Sequence, residues 1–222
     1  THRSFANLRG VATMTQNLAW VAVNQGQLAE ADGLVSEAER ILRDLGDAVL
    51  AAECRLVRAE LHFVRGELRP AALAFESALV AHRTTGNHAS AGVARAGLAA
   101  VALAKSDLRT ASAEVTAALE IARDVGERRL EAVALGLLSR IRLAESAPAE
   151  ASDAAAQADR VAREVGDRLL IGLVACTRAE LHRRAGALDL AAAALVEAEA
   201  IAAACGCTAS SELGARLAAV RG

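Results

Sequence analysis

The residues best equipped for chemistry in this 222-residue chain are few and scattered. Cys205 and Cys207 form a Cys-Gly-Cys pair whose functional reading is a metal or redox site. Zinc takes four ligands in a tetrahedral array. No second Cys or His pair lies nearby in sequence, so the pair is read as structural. His62 and His182 stand 120 residues apart, at the same place in two similar segments. Packing or a local hydrogen bond is their expected role. His82 and His88 flank Gly86 and are expected at the surface. Glu37 and Glu39 are two residues apart, do not face each other on a helix, and read as a solvated face. No glycine-rich phosphate loop, nucleophile elbow or HExxH motif occurs. The chain therefore reads as non-enzymatic, with no catalytic residue, no metal site and no cofactor.

What must position any site is a repeated unit. Gly46, Gly86, Gly126, Gly166 and Gly206 follow one another at intervals of 40 residues. A second series, Gly26, Gly66, Ser106, Ser146 and Gly186, runs 20 residues out of phase. A fixed period of this length marks stacked supersecondary units. Between the breakers the chain is rich in Ala, Leu, Glu and Arg, which are good helix formers. Strictly alternating β-branched or aromatic runs are absent. Each unit reads as helix, tight turn, helix, looser turn. The turn at Ser146-Ala147-Pro148 departs most from the pattern.

Small residues hold fixed places in the unit. Ala31, Ala71, Ala111, Ala151 and Ala191 form one column on the second helices, and Ala38, Ala78, Ala118, Ala158 and Ala198 another. Ala19, Ala59, Ala99, Ser139 and Ala179 form a third on the first helices. Such columns let helix backbones approach closely, and Leu18, Val35, Phe75, Val115 and Leu195 are expected to fill the space between. With these columns and the inner-turn glycine the chain resembles the tetratricopeptide repeat (TPR) family. The clearest copies are Arg58 to Leu68 (RAELHFVRGEL) and Arg178 to Leu188 (RAELHRRAGAL). The short form of that family has about 34 residues per repeat and a Pro near the end of each unit. Here each unit is longer and ends in Gly followed by Asp47, Asn87, Glu127 or Asp167, residues suited to the start of the next helix. This long form is similar to the repeats of large bacterial transcription regulators of the maltose-activator and antibiotic-regulator types.

The resemblance implies an all-α fold, a right-handed superhelical solenoid of about five antiparallel helix pairs with a C-terminal capping helix. The unbroken period argues for one solenoid domain over residues 1–222, with repeats at about 7–46, 47–86, 87–126, 127–166 and 167–206 and a cap at 207–222. Residues 2–7 align with the tail of a preceding second helix and its turn, so the chain reads as part of a larger protein. Net charge is −2 and no basic block is present, which argues against nucleic-acid binding by this segment. No apolar run is long enough to span a membrane. Four cysteines in this length lack the density of a disulfide scaffold and suit a cytoplasmic location.

In the TPR family the first helices line the concave face. One column reads Trp20, Glu60, Ala100, Arg140, Glu180, and a second Val23, Phe63, Leu103, Leu143, Arg183. A neighbouring column reads Asn17, Val57, Gly97, Leu137, Thr177. The partner-binding residues expected from these are Asn17, Trp20, Glu60, Phe63, Leu103, Arg140, Leu143, Glu180 and Arg183. Trp20, the only Trp, is a candidate hot spot. The function that follows is a protein- or peptide-binding module, the interaction or sensor region of a bacterial regulatory protein. The alternatives are a small-molecule (inducer) sensor and a self-association module that forms a homodimer through an exposed solenoid end.

Overall fold

The computed structural model describes residues 2–221, with side chains described for 7–221. Within them the chain forms eleven α-helices and no strand: α1 (His2–Gln25), α2 (Leu28–Leu45), α3 (Ala48–Val64), α4 (Leu68–Thr84), α5 (His88–Ala104), α6 (Leu108–Val125), α7 (Arg128–Ala144), α8 (Pro148–Val165), α9 (Arg168–Arg184), α10 (Leu188–Cys205) and α11 (Glu212–Arg221). Each odd-numbered helix from α1 to α9 pairs with the even one after it, and each pair packs on the next. The odd helices also touch one another in series through to α11, so they form one continuous inner layer. No helix among the described residues is long and apolar enough to cross a membrane.

The three small-residue columns explain this packing. All members of the Ala38 and Ala19 columns are fully buried, as is nearly all of the Ala31 column. A longer side chain at any of them would hold two helices apart, and interiors packed to crystal density do not absorb that cheaply. Ser139, the one polar member, sits at 0% exposure and donates its hydroxyl to the Ala151 carbonyl at 2.7 Å, so it costs no unpaired group. Val35, Val115 and Phe75 fill the spaces between, and Leu195 is partly buried. Leu18 does not: it is 56% exposed.

The punctuation works as the residue types demand. Asp47, Asn87 and Asp167 accept the backbone N–H three residues on, and Glu127, one carbon longer, accepts from Arg129 N instead. The glycines of both series have φ between 65° and 77°. Ser106 and Ser146 adopt the same left-handed backbone, at 60° and 62°. The fourth inner turn therefore keeps the geometry of the others, and Pro148 stands at the first turn of α8, where a missing N–H is harmless. The expected turn before Asn7 does not form, and α1 runs unbroken from His2. Ala6 occupies the place where every later repeat has glycine, so no left-handed residue stops the helix.

Two sequence expectations outside the inner face need correction. His82 is fully buried, not at the surface, while His88 is exposed as expected. Glu39 is not freely solvated but receives Arg58 at 2.8 Å, and Glu197 and Asp159 receive Arg178 in the matching repeat. Arg58–Glu39 and Arg178–Asp159 tie a first helix to the second helix before it, and Arg178–Glu197 ties α9 to its own partner α10.

Candidate binding cavity

The inner helices and the cap enclose a partly open cavity of about 340 Å3. Its closure comes from the two ends of the helix series meeting. The α1–α2 turn abuts the α10–α11 loop: Thr208 N donates to the Gln25 carbonyl at 2.9 Å, and Gln25 Nε2 donates to the Cys205 carbonyl at 3.1 Å. A β-carbon at Gly26 would lie 2.3 Å from Thr208 Oγ1 and 2.5 Å from Ser211 N, so only glycine allows this approach. Cys207 belongs to the same junction, with its thiol 3.5 Å from the Asn24 carbonyl. All four cysteines are free thiols. Burial pushes Cys54 up to about 12, which makes it unreactive at neutral pH.

The cavity crosses the inner layer obliquely. On α1 and α3 it is lined from the C-terminal half, by Trp20, Val23, Glu60 and Phe63. On α5 and α7 it takes the middle, at Val93, Gly97, Val133 and Leu137, and on α9 it takes the N-terminal half, at Leu169 and Leu173. Gly97 is required here, because a β-carbon at that position would lie 2.3 Å from the Phe75 ring. The cap closes one side with Glu212 and Arg216.

Of the residues singled out in sequence, Trp20, Glu60, Phe63 and Arg140 line this cavity together. The other five are elsewhere. Asn17 and Arg183 are exposed outside it. Leu103 is partly buried against the helices of the central repeats, and Leu143 is buried. Glu180 accepts a hydrogen bond from Arg184 on its own helix at 2.6 Å. The column logic takes residues at one height on every helix, whereas successive repeats are rotated, so the lining slides toward the N-terminal ends of the later helices. Arg129, Val93, Val133 and Leu173 were missed for this reason, and Glu212 and Arg216 because the cap lies outside the period.

Polar side chains from α1, α3, α7, α9 and α11 interrupt an otherwise mostly apolar chamber. Arg129 reaches from α7 to α1, with its guanidinium carbon 5.3 Å from the centre of the Trp20 ring, and is held from behind by Asp167 at 2.7 Å. Such a cation over an indole face is attractive by about 0.5–2 kcal/mol. Glu60 is half-buried and lines the cavity. Burial pushes its pKa from 4.5 up to about 7; Arg129 and Trp20 pull it down, and Glu212 pushes it further up. Arg140 lies 3.9 Å from Glu212. Arg216 donates to Thr177 Oγ1 at 2.6 Å, and burial, with Arg140 close by, pushes its pKa down to about 10. Among the described residues no group of three or more His, Cys, Asp or Glu side chains is arranged to hold a metal ion.

The comparisons with known proteins speak to the fold alone. No family model matches the chain, and no curated protein matches it in sequence. Solved structures do match in shape. A Rap protein complexed with competence and sporulation factor superposes with a TM-score of 0.76 at 16% identity, over 87% of this chain and 54% of that one. The chain thus spans about half the length of that neighbour. BtubC (BKLC) from P. vanneervenii superposes with a TM-score of 0.60 at 17% identity, over 91% of both chains. With the helix pairing above, these likenesses show a TPR-like helical-repeat solenoid.

Proposed function

We propose that the chain is a non-enzymatic binding module that takes a short peptide, or an end or loop of a partner protein, into its inner cavity. The observation that carries this reading is the cavity itself: a mostly apolar lining from the inner helices that also includes a few charged side chains, Glu60, Arg129, Arg140, Glu212 and Arg216. That is the usual build of a ligand site, apolar for affinity with a few placed polar groups for orientation. The Rap neighbour, of the same fold, was solved complexed with a factor, which supports a binding role. The resemblance to long-form repeats of bacterial regulators supports placing the module in a cytoplasmic regulatory protein, as one continuous solenoid over its five repeats. Trp20, Phe63 and Arg140 are the side chains expected to meet the partner. The test is a peptide-display selection on the parent protein and on Ala100→Phe, which puts a ring into the cavity. Peptides that bind the parent and lose the variant support the reading; peptides that bind both equally sink it.

A second reading, self-association, is favoured by one observation. Leu8, Val11, Met14, Leu18 and Val21 lie along one side of α1 and are each 40% exposed or more. Light scattering of the parent and of Leu18→Glu tests it. A dimer that the substitution dissolves supports self-association through α1, and a parent that stays monomeric at high concentration rejects it.

A further inference from the structure

We propose that the cavity is built for an apolar monocarboxylate, with the carboxylate seated between Arg140 and Arg216 and the hydrocarbon body against the walls of α5, α7 and α9. This rests on the cavity being the binding site. Three observations carry it. First, the two guanidiniums lack a close carboxylate partner within the protein. Arg140 comes only to 3.9 Å of Glu212, and among the described residues Arg216 has no carboxylate within 4 Å, its hydrogen bond going to the Thr177 hydroxyl. Glu212 and Glu180 act on Arg216 only from a distance, so neither guanidinium has a close carboxylate partner. Second, they stand where two hollows meet. The main cavity of about 340 Å3 and a smaller one of about 180 Å3 between α3, α7 and α11 share Phe63, Val64, Arg140, Glu212 and Arg216. A ligand in either hollow has its end at the arginine pair. Third, much of the remaining lining is apolar, with Val93, Val133, Leu137 and Leu173 on the walls of the main chamber.

The charge count selects a monoanion. Glu212 lies close enough to raise the pKa of Glu60, and the two carboxyl groups disfavour a dianion such as a phosphate monoester. A single carboxylate restores balance to Arg140 and Arg216 and accepts bidentate hydrogen bonds from a guanidinium. A buried cation lacking a full partner is costly, so the gain from supplying one is large. At about 30 Å3 per water-sized group the main cavity has room for about eleven non-hydrogen groups, the size of an eight- to ten-carbon acid. The same chemistry is offered by the C-terminal end of a peptide with apolar last residues.

Calorimetric titration with octanoate, octanol and octylammonium, with Trp20 emission read in parallel, tests the assignment. A peptide ending in Leu-Phe, as the free acid and as the amide, is run alongside. The expected result is saturable octanoate binding at least tenfold tighter than octanol, with octylammonium weakest. Arg140→Gln is expected to weaken octanoate about tenfold and leave octanol unchanged, and Arg140→Lys to restore part of the loss. Arg140 lies on the cavity wall at the start of a helix turn facing the cap, so its circular dichroism spectrum and melting point are checked beside the binding. Tight binding of the peptide acid but not the amide, in competition with octanoate, assigns the seat to a chain end. Octanoate binding without peptide binding assigns it to a free acid. Octanol or the peptide amide binding as tightly as the acids, in parent and Arg140→Gln alike, overturns the carboxylate seat and leaves the cavity as a binding site. Failure of every ligand to bind the parent overturns the cavity reading itself.

Discussion

Replacing Glu60 by Gln should stabilise the protein at alkaline pH and leave it unchanged at acid pH. Glu60 stands on α3 beside Trp20 of α1, with Arg129 of α7 and Glu212 of α11 as the charged groups that act on it. Burial is the largest influence and raises its pKa from 4.5 to about 7. The direction fixes the sign. Below the unfolded pKa the group is protonated in both states and contributes nothing. As pH rises toward 7 the unfolded chain releases its proton while the folded chain keeps it, so stability falls. Above 7 the full cost is present. At 1.36 kcal/mol per pH unit that cost is about 3 kcal/mol as an upper figure, since water entering the cavity solvates part of the charge. Gln keeps the shape and removes the titration. Urea unfolding of both proteins, followed by helical circular dichroism, should show equal stability near about pH 4.5 and a variant more stable by about 1–3 kcal/mol near about pH 8.5. A stability difference that is the same at both pH values contradicts the burial of this carboxyl.

Four further substitutions test the fold that shapes the site. Ser106→Gly should raise stability by about 0.5–1 kcal/mol, because Ser106 holds a left-handed φ of 60° that glycine adopts without strain; a loss in thermal unfolding contradicts it. Gly26→Ala should destabilise more than Gly66→Ala by over about 1 kcal/mol. Both glycines have φ of 77°, but only at Gly26 would a methyl strike the cap loop, whereas nothing lies within 4 Å at Gly66. Equal losses would show that the ends do not meet in solution. His82→Leu should stabilise by about 1–3 kcal/mol, since His82 is fully buried and, among the described residues, neither ring nitrogen has a hydrogen-bond partner. A destabilised variant in urea melts would show that the imidazole is satisfied after all.

Most of the solenoid is readable from the sequence because its causes are local. The glycine at each turn, the acidic or amide cap after it and the alanine at each helix crossing are all dictated by backbone geometry within one repeat. Ser106 and Ser146 could be placed in the glycine series by period alone, and both adopt the glycine backbone. The cavity is less legible because its causes are long-range. Gln25 meets Cys205 across 180 residues, a contact no repeat column contains. Trp20, Glu60, Phe63 and Arg140 share the cavity because α1, α3 and α7 present that height of the helix to it. Glu180 and Arg183 have the same place in their repeat, but by α9 the rotation of the solenoid has carried that height past the cavity. The buried state of His82 was hidden for a related reason. Its position near a turn suggested exposure, but α4 packs between α3 and α5, and Glu53 of α3 comes to 3.8 Å of its Nδ1.

The inner cavity as binding site is tested most directly by titrating a selected ligand, peptide or octanoate, while following emission from Trp20. It is the sole Trp of a chain without Tyr, and it lines the cavity under the Arg129 guanidinium. A ligand in the cavity should shift that emission saturably, with the same midpoint as the calorimetric heat, and Ala100→Phe should abolish both. Calorimetric binding that leaves Trp20 emission unmoved and survives Ala100→Phe would place the site elsewhere on the solenoid.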